Sequence, residues 1–193
     1  MDPQAAITHI LDRLKQELPD NLHYHGHHHT LDVLESVKVI AASENVNAEN
    51  FNLLLVAAAY HDCGFLTSYK EHEAAGCEIA RATLPGFGFG AETIDHICSM
   101  ILATKVPQGP KDTLAEILCD ADLDYLGTDR FKPIGDQLYK ELRSMNAVSD
   151  IKAWNQIQLK FLTQHSYYTR FGKEYRQPKK EKNIQQLKAE MGL

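Results

Sequence analysis

Apolar side chains recur along this chain at helical spacing, in short stretches that polar or Pro/Gly-rich breaks separate. In the first stretch Ile7, Ile10 and Leu14 lie three or four residues apart, so they share one face of a helix. Pro3 suits the first turn of that helix, because proline lacks the amide hydrogen that a first turn leaves unbonded. The same pattern predicts helices over residues 5–18, 30–42, 48–61, 71–84, 91–103, 113–126, 131–144, 149–164 and 171–191.

No stretch alternates apolar and polar residues with the period of two that marks a half-buried strand. Thr113 is placed to cap one predicted helix, and Gly64 and Gly127 are placed to end two others. The pattern therefore predicts an all-α fold, a bundle of about eight to ten helices. The 193 residues are enough for a substantial core, as a single domain or a domain with a short helical extension.

The composition is that of an ordinary globular protein, with 44% hydrophobic and 24% charged residues. The formal net charge of −6 argues against a nucleic-acid partner and against a polybasic membrane-binding surface. Basic residues nevertheless crowd the end of the chain, and they are Lys173, Arg176, Lys179, Lys180, Lys182 and Lys188. We expect them to form a solvated helix face, with a phosphate-contacting surface as the alternative.

The cysteines and the hydropathy pattern indicate where the chain resides. Cys63, Cys77, Cys98 and Cys119 form no CxxC pair and lie in apolar helical contexts, so we interpret them as small buried side chains in a reducing compartment. The first residues are polar and acidic, and no apolar stretch approaches the roughly 20 residues that cross a bilayer. A cytoplasmic protein without a membrane partner is the expectation.

Side chains that bind metals lie at the end of one predicted helix and within another. His61 and Asp62 end the most apolar one, where an imidazole beside a carboxylate is costly unless a cation compensates them. Asp122 shares a helix face with Leu118 and is therefore expected to point inward. The alternatives are a capping aspartate beside a core histidine for the pair, and a surface carboxylate for Asp122.

The histidine-rich segment 23–29 offers several further ligands. His25 and His29 are four residues apart and share one face if the segment is helical. We favour His29 as the ligand, and His25 is either a ligand or a substrate contact. Asp120 and Asp124 lie about 200° away from Asp122 on a helix and are expected beside the site or facing solvent.

A mixed set of histidines and carboxylates is typical of catalytic metal sites, which keep coordination positions open. No single helix could supply His29, His61, Asp62 and Asp122, whereas several inward-facing helices of a bundle can. The expected cofactor is one divalent ion of Mn, Mg, Fe, Co, Ni or Zn. Such an ion lowers the pKa of a bound water, which then attacks phosphorus.

These residues also resemble a known family. Residues 24–33 are similar to the Tyr-His-Asn-x-x-His-x-x-x-Val opening of many HD-superfamily proteins, and residues 120–127 to an Asp-Ala-Asp-Leu-x-x-Leu-Gly segment of small bacterial members. The resemblance covers about residues 20–130, which leaves 131–193 as a C-terminal helical extension. It implies an HD-type helical bundle, metal ligation by His29, His61, Asp62 and Asp122, and hydrolysis of phosphomonoesters or phosphodiesters.

The chain departs from parts of that family. Phe65 occupies a position where many cyclic-dinucleotide phosphodiesterases carry lysine, and the paired histidines of two-metal members are absent. One ion is therefore favoured over two. The catalytic glutamate of nucleotidase-like members has no counterpart, so Asp62 or Glu73 is expected to accept the proton. His72 and Glu73 belong either to the site or to an exposed helix start.

The sequence thus predicts a metal-dependent phosphohydrolase. The expected substrate is a small phosphate ester, of a nucleotide by preference, with His25, His72 and Lys105 as candidate substrate contacts. Lys105 is equally well explained as an ordinary surface lysine. Two rivals stay open: a nucleotide or alarmone sensor that keeps the metal but has lost turnover, and a two-iron oxygenase or lyase. A homodimer is compatible with all three.

Overall fold

Nine α-helices, joined by short loops and single helical turns, make up the computed structural model, which describes residues 1–193. The helices are α1 (Pro3–Glu17), α2 (His27–Ser43), α3 (Ala48–Tyr60), α4 (His72–Thr83), α5 (Ala91–Ala103), α6 (Thr113–Asp122), α7 (Phe131–Ser144), α8 (Ile151–Gln164) and α9 (Gln177–Glu190). The predicted all-α fold class is confirmed. None of these helices combines the length and the apolar character needed to cross a bilayer.

Side chains that accept a hydrogen bond from the first turn fix where several helices begin. Asp2, Asn47, Asp112 and Asp150 each accept from the backbone amide three residues further on, which satisfies a donor that the helix itself leaves unbonded. The prediction that Thr113 caps α6 was therefore wrong by one residue. Asp112 is the cap, and its Oδ1 lies 2.8 Å from the amide of Ala115.

Two predicted helices are divided in the structure. The helix expected over 113–126 ends at Asp122, and a tighter 3-10 turn, Asp124–Gly127, follows it. The helix expected over 171–191 begins as a wide π-turn, Gly172–Arg176, before α9. Gly127 is needed for packing, because a Cβ there would lie 2.5 Å from the carbonyl oxygen of Arg176. It allows the 3-10 turn and the π-turn to pack closely.

Helix α3 lies at the centre of the main core and packs against α1, α2, α4, α5 and α6. Its last two turns carry Ala57, Ala58 and Ala59, all fully buried. Small side chains let the neighbouring helices approach closely, so the carboxyl end of α3 lies inside the bundle. His61 and Asp62 follow directly and are buried for that reason.

Helices α7 to α9 share a smaller core with the segment that follows α6, and it consists of Leu123, Leu126, Phe131, Leu162 and Leu187. Asp120 joins this C-terminal part to the main bundle. Its carboxylate is fully buried and accepts hydrogen bonds from the amides of Tyr168 and Thr169 at 2.9 Å. Asp124 is buried as well and pairs with Arg176 at 2.6 Å.

The sequence expectation for these two carboxylates was therefore only partly right. Neither Asp120 nor Asp124 faces solvent, because each binds a partner from the C-terminal part of the chain. The expected solvated basic face was also only partly right, since Lys180 is 1% exposed. The four cysteines are free and buried, as their apolar contexts predicted.

Candidate metal centre

Four side chains from three helical segments converge at the centre of the main bundle. His29 comes from the first turn of α2, His61 and Asp62 directly follow α3, and Asp122 is the last residue of α6. Nε2 of His29 lies 3.1 Å from Oδ1 of Asp122 and 3.4 Å from Nε2 of His61. The structure thus brings together the four residues that the sequence proposed as ligands.

The remaining distances in this cluster have similar values. Nε2 of His61 lies 3.6 Å from Oδ1 of Asp122 and 3.3 Å from Oδ2 of Asp62. The distance from that Oδ2 to Nε2 of His29 is 3.5 Å. Neighbouring ligands around an ion at about 2.0–2.2 Å are separated by roughly 2.8–3.6 Å, from octahedral to tetrahedral geometry. His29, His61 and Asp122 form the tightest group that could hold an ion, and Asp62 approaches it through both histidines.

The donor set fits a divalent cation on two further observations. Oδ2 of Asp62 is buried and has no hydrogen-bond partner, which is costly for a carboxylate unless a cation binds it. Nδ1 of His61 lies 2.8 Å from the carbonyl oxygen of Ala58 and donates to it, so Nε2 presents a lone pair to the cluster. An ion bound by these groups would compensate the facing lone pairs and negative charges.

The electrostatics of the cluster keep its carboxylates ionised. Burial alone would raise the pKa of Asp122, but hydrogen bonds and charge from His29 and His61 lower it to about 2. Burial likewise opposes ionisation of Asp62, and His61 and His72 hold its pKa well below the usual range. Burial would lower the pKa of His61, yet the two carboxylates raise it well above its ordinary value. A cation and a proton therefore compete for Nε2 of His61.

The end of α3 explains how adjacent residues reach one point. His61 is still helical, with φ −55° and ψ −39°, whereas Asp62 has φ −106° and ψ 5° and leaves the helix. Gly64 was expected to end this helix, but its φ is not positive, and close packing is the reason that glycine is needed. A Cβ there would lie 1.8 Å from the backbone oxygen of His72, so α4 begins against this turn.

That close approach places His72 and Glu73 beside Asp62. Nε2 of His72 lies 3.4 Å from Oδ1 of Asp62 and 3.5 Å from Oε1 of Glu73. Glu73 is only 6% exposed, so this helix start is not the solvated turn that was the alternative. One carboxylate oxygen of Asp62 therefore faces His29, His61 and Asp122, which with Asp62 form the ligand cluster. Its other oxygen faces His72.

His25 lies near His72, with 6.1 Å between their ring centroids, and Phe65 contacts both. The ring of Phe65 stacks on His25 at 4.4 Å and on His72 at 4.1 Å between centroids. Phe65 thus packs against two imidazoles of the site. Nδ1 of His25 lies 2.5 Å from Oε1 of Glu141, a residue of α7.

Sequence reasoning missed Glu141. The carboxylate is fully buried and also accepts from the amides of Tyr24 and His25, at 2.8 and 3.0 Å, and from the hydroxyl of Tyr69. A signal for it existed, because Glu141 follows Ile134 and Leu138 at helical spacing and so lies on the apolar face of α7.

A cleft of about 420 Å³ opens beside the cluster. Asp62, Asp122, His25, His72 and Glu73 line its polar end. Its apolar wall comes from the C-terminal part of the chain and consists of Leu138, Leu142, Trp154, Ile157 and Phe161. The sequence did not predict this wall.

Lys105 also lines the cleft, and its amine pairs with the carboxylate of Glu71. Both side chains are substantially exposed, so the pair contributes little to stability. Lys105 is therefore at the cleft, as a substrate contact requires, but it is already bound to an acidic partner.

Comparison with known proteins agrees with this architecture. Residues 26–124 match the family model of the HD domain. A predicted HD superfamily hydrolase from an uncultured Thermotogales bacterium is 18% identical, with a TM-score of 0.64 over 99% of this chain and 92% of that one. A Lactobacillus plantarum protein of known structure is also 18% identical, with a TM-score of 0.70, and the match covers 100% of this chain and 99% of that one. No curated protein sequence matches the chain.

Proposed function

The chain belongs to the HD domain family, and on that premise we propose that it is a metal-dependent phosphohydrolase. His29, His61, Asp62 and Asp122 would hold one divalent ion. The observation that carries the proposal is the buried, unpartnered Oδ2 of Asp62 beside two imidazole nitrogens. A purely structural cluster would be expected to pair that oxygen with a protein donor.

The surrounding residues suit hydrolysis of a phosphate ester. The bound ion would supply a nucleophilic water and neutralise phosphate charge. We propose Glu73 as the proton acceptor, because its carboxylate is buried beside His72 and lines the cleft. Oδ1 of Asp62 orients His72, and His25 and His72 face the cleft as donors to phosphate oxygens. A nucleotide is the proposed substrate class, since the cleft has room for one and also offers apolar surface.

Metal binding is the first test. His29→Asn should abolish both stoichiometric metal content and the rise in melting temperature that Mn²⁺ produces. At a metal concentration 100 times Kd, that rise corresponds to about 2.7 kcal/mol. His96→Asn is the matched control, because His96 pairs with Asp112 at 3.0 Å on the surface, much as His29 pairs with Asp122. A wild-type protein without a bound divalent ion would contradict the proposal.

Activity is the second test. Phosphomonoesters and phosphodiesters, nucleotides included, should be assayed with Mn²⁺, Mg²⁺, Co²⁺ and Ni²⁺. We expect turnover that Asp62→Ala abolishes while the helical content and cooperative unfolding persist. Nucleotide binding without turnover in the presence of any of these metals would support the sensor instead. Comparing rates for monoesters and diesters distinguishes a phosphatase from a phosphodiesterase.

A further inference from the structure

The cleft beside the ligand cluster is chemically divided. At one end lie charged groups and imidazoles, and at the other lies the apolar wall from α7 and α8. Leu138 and Leu142 on α7 and Ile157 and Phe161 on α8 are each four residues apart, so each pair presents one helix face. A molecule that binds at the cluster and extends along the cleft would therefore also contact this wall.

Two exposed apolar side chains lie in the cleft lining. Val106 is 57% exposed and Ile157 is 49% exposed, although most large apolar side chains of this protein are buried. Single exposed apolar residues are normal. Here, however, Val106 belongs to the loop after α5 and Ile157 to α8, and both line one cleft. An apolar group bound between them would remove both from water.

The charges of the cleft limit how many phosphates a ligand can carry. Its carboxylates are Asp62, Glu71, Glu73 and Asp122, and its only lysine or arginine is Lys105, which Glu71 already binds. Sites for polyphosphates need several cations or backbone donors. One divalent ion and two imidazoles suffice for a single phosphate, whereas a triphosphate would meet uncompensated carboxylates.

We propose that the cleft selects a substrate with a single phosphate group joined to an apolar, ring-shaped organic group. The phosphate faces the ligand cluster, and the ring packs against Leu142, Ile157 and Phe161. Helices α7 and α8 thus determine specificity, while the residues of the main bundle provide the chemistry. This inference rests on the proposed function, because it assigns the polar end of the cleft to phosphate.

Two phosphonates that cannot be hydrolysed test the ring contact directly. Phenylphosphonate and methylphosphonate share the anionic group and differ in the ring. With Mg²⁺ present, phenylphosphonate should bind at least tenfold more tightly. Binding can be followed by the fluorescence of Trp154, the single tryptophan, which lines the cleft, and by calorimetry where the fluorescence does not change.

Two isoleucines of α8 provide a matched pair of variants. Ile157→Gln should weaken phenylphosphonate binding about fivefold and leave methylphosphonate binding unchanged. Ile151→Gln is the control, because Ile151 is 51% exposed on the same helix and lies outside this cleft. Both positions are exposed and glutamine is a good helix former, so both variants should fold.

The outcomes separate this inference from the proposed function. Equal binding of the two phosphonates, or faster turnover of a nucleoside triphosphate than of the monophosphate, would overturn the inference and leave a phosphohydrolase. Tight phenylphosphonate binding without turnover of any ester would overturn the proposed hydrolysis and leave only the ligand selectivity of the cleft. A monophosphate preference that Ile157→Gln weakens and Ile151→Gln preserves would support both.

Discussion

A single carboxylate, that of Glu141, connects the C-terminal helices to a histidine at the candidate metal centre. It accepts hydrogen bonds from two backbone amides, from the Nδ1 of His25 and from the hydroxyl of Tyr69. Burial alone would raise the pKa of Glu141, but His25 and the two amides lower it below its ordinary value. The carboxylate thus stays charged and holds the imidazole of His25 in one orientation.

Replacement of Glu141 tests this positioning role. Glu141→Gln keeps the shape but replaces one of the two accepting oxygens by an NH2 group, so two of the four buried donors lose their acceptor. We therefore expect a loss of about 2–4 kcal/mol in the free energy of unfolding in urea. Because the folded pKa is lowered, the difference from wild type should be complete above the ordinary glutamate pKa of about 4.3 and shrink as the pH falls below it. Asp136→Asn, on the exposed side of the same helix, should change stability by less than about 0.5 kcal/mol. Equal effects of the two variants would contradict the role.

At the scale of elements, the site depends on how closely α4 approaches the end of α3. The backbone of His72 lies so near Gly64 that no side chain can be placed between them. This contact sets the position of His72 and Glu73 relative to Asp62. Helix spacing in the sequence predicted both helices, but it carried no information on the distance between them.

Gly64→Ala should separate these two elements. The added methyl meets backbone atoms, which cannot rotate away, so we expect a loss of about 3 kcal/mol in stability and weaker metal binding. Gly86→Ala is the control, since a Cβ there has no atom within 4 Å. Thermal unfolding with and without Mn²⁺ measures both effects. A Gly64→Ala protein as stable as the control would show that α4 can shift without cost.

At the scale of the whole molecule, buried polar contacts attach the C-terminal part to the main bundle and also lie inside that part. Lys180 is an internal example. Its amine is 3.1 Å from Nδ1 of His165 and 5.3 Å from the ring centre of Tyr167. Burial lowers the pKa of Lys180 to about 8, while Glu181 and Asp120 partly oppose that shift. Burial, followed by the charge of Lys180, lowers the pKa of His165 to about 4.

Because of Lys180, the free energy of unfolding should vary with pH in the alkaline range. Below about pH 8 both the folded and unfolded states carry the proton, and the folded state bears the cost of burying the charge. Between about pH 8 and 10.5 the unfolded state binds more protons, so stability rises with pH, by up to roughly 3 kcal/mol. Lys180→Met should lack this rise, whereas Lys182→Met, at an exposed position of α9, should keep it. Denaturation at pH 7 to 10 measures the difference, and parallel curves for Lys180→Met and wild type would contradict it.

The sequence alone determined the helices and the ligand candidates. Helix positions follow from contacts between residues three or four apart, which depend only on helix geometry. His29, His61, Asp62 and Asp122 stood out because their chemistry conflicts with their apolar surroundings, and that conflict is visible without coordinates. The structure brings these four side chains together, and their role as ligands stays a prediction.

Only the tertiary structure decided what surrounds those four residues. Glu141 is 117 residues from Tyr24 along the chain, and the apolar wall of the cleft lies on helices outside the matched family segment. Asp120 and Asp124 are buried because partners from the C-terminal part reach them. Such pairings depend on how helices pack, and the periodicity of a single helix shows which face is apolar but not which helix will cover it.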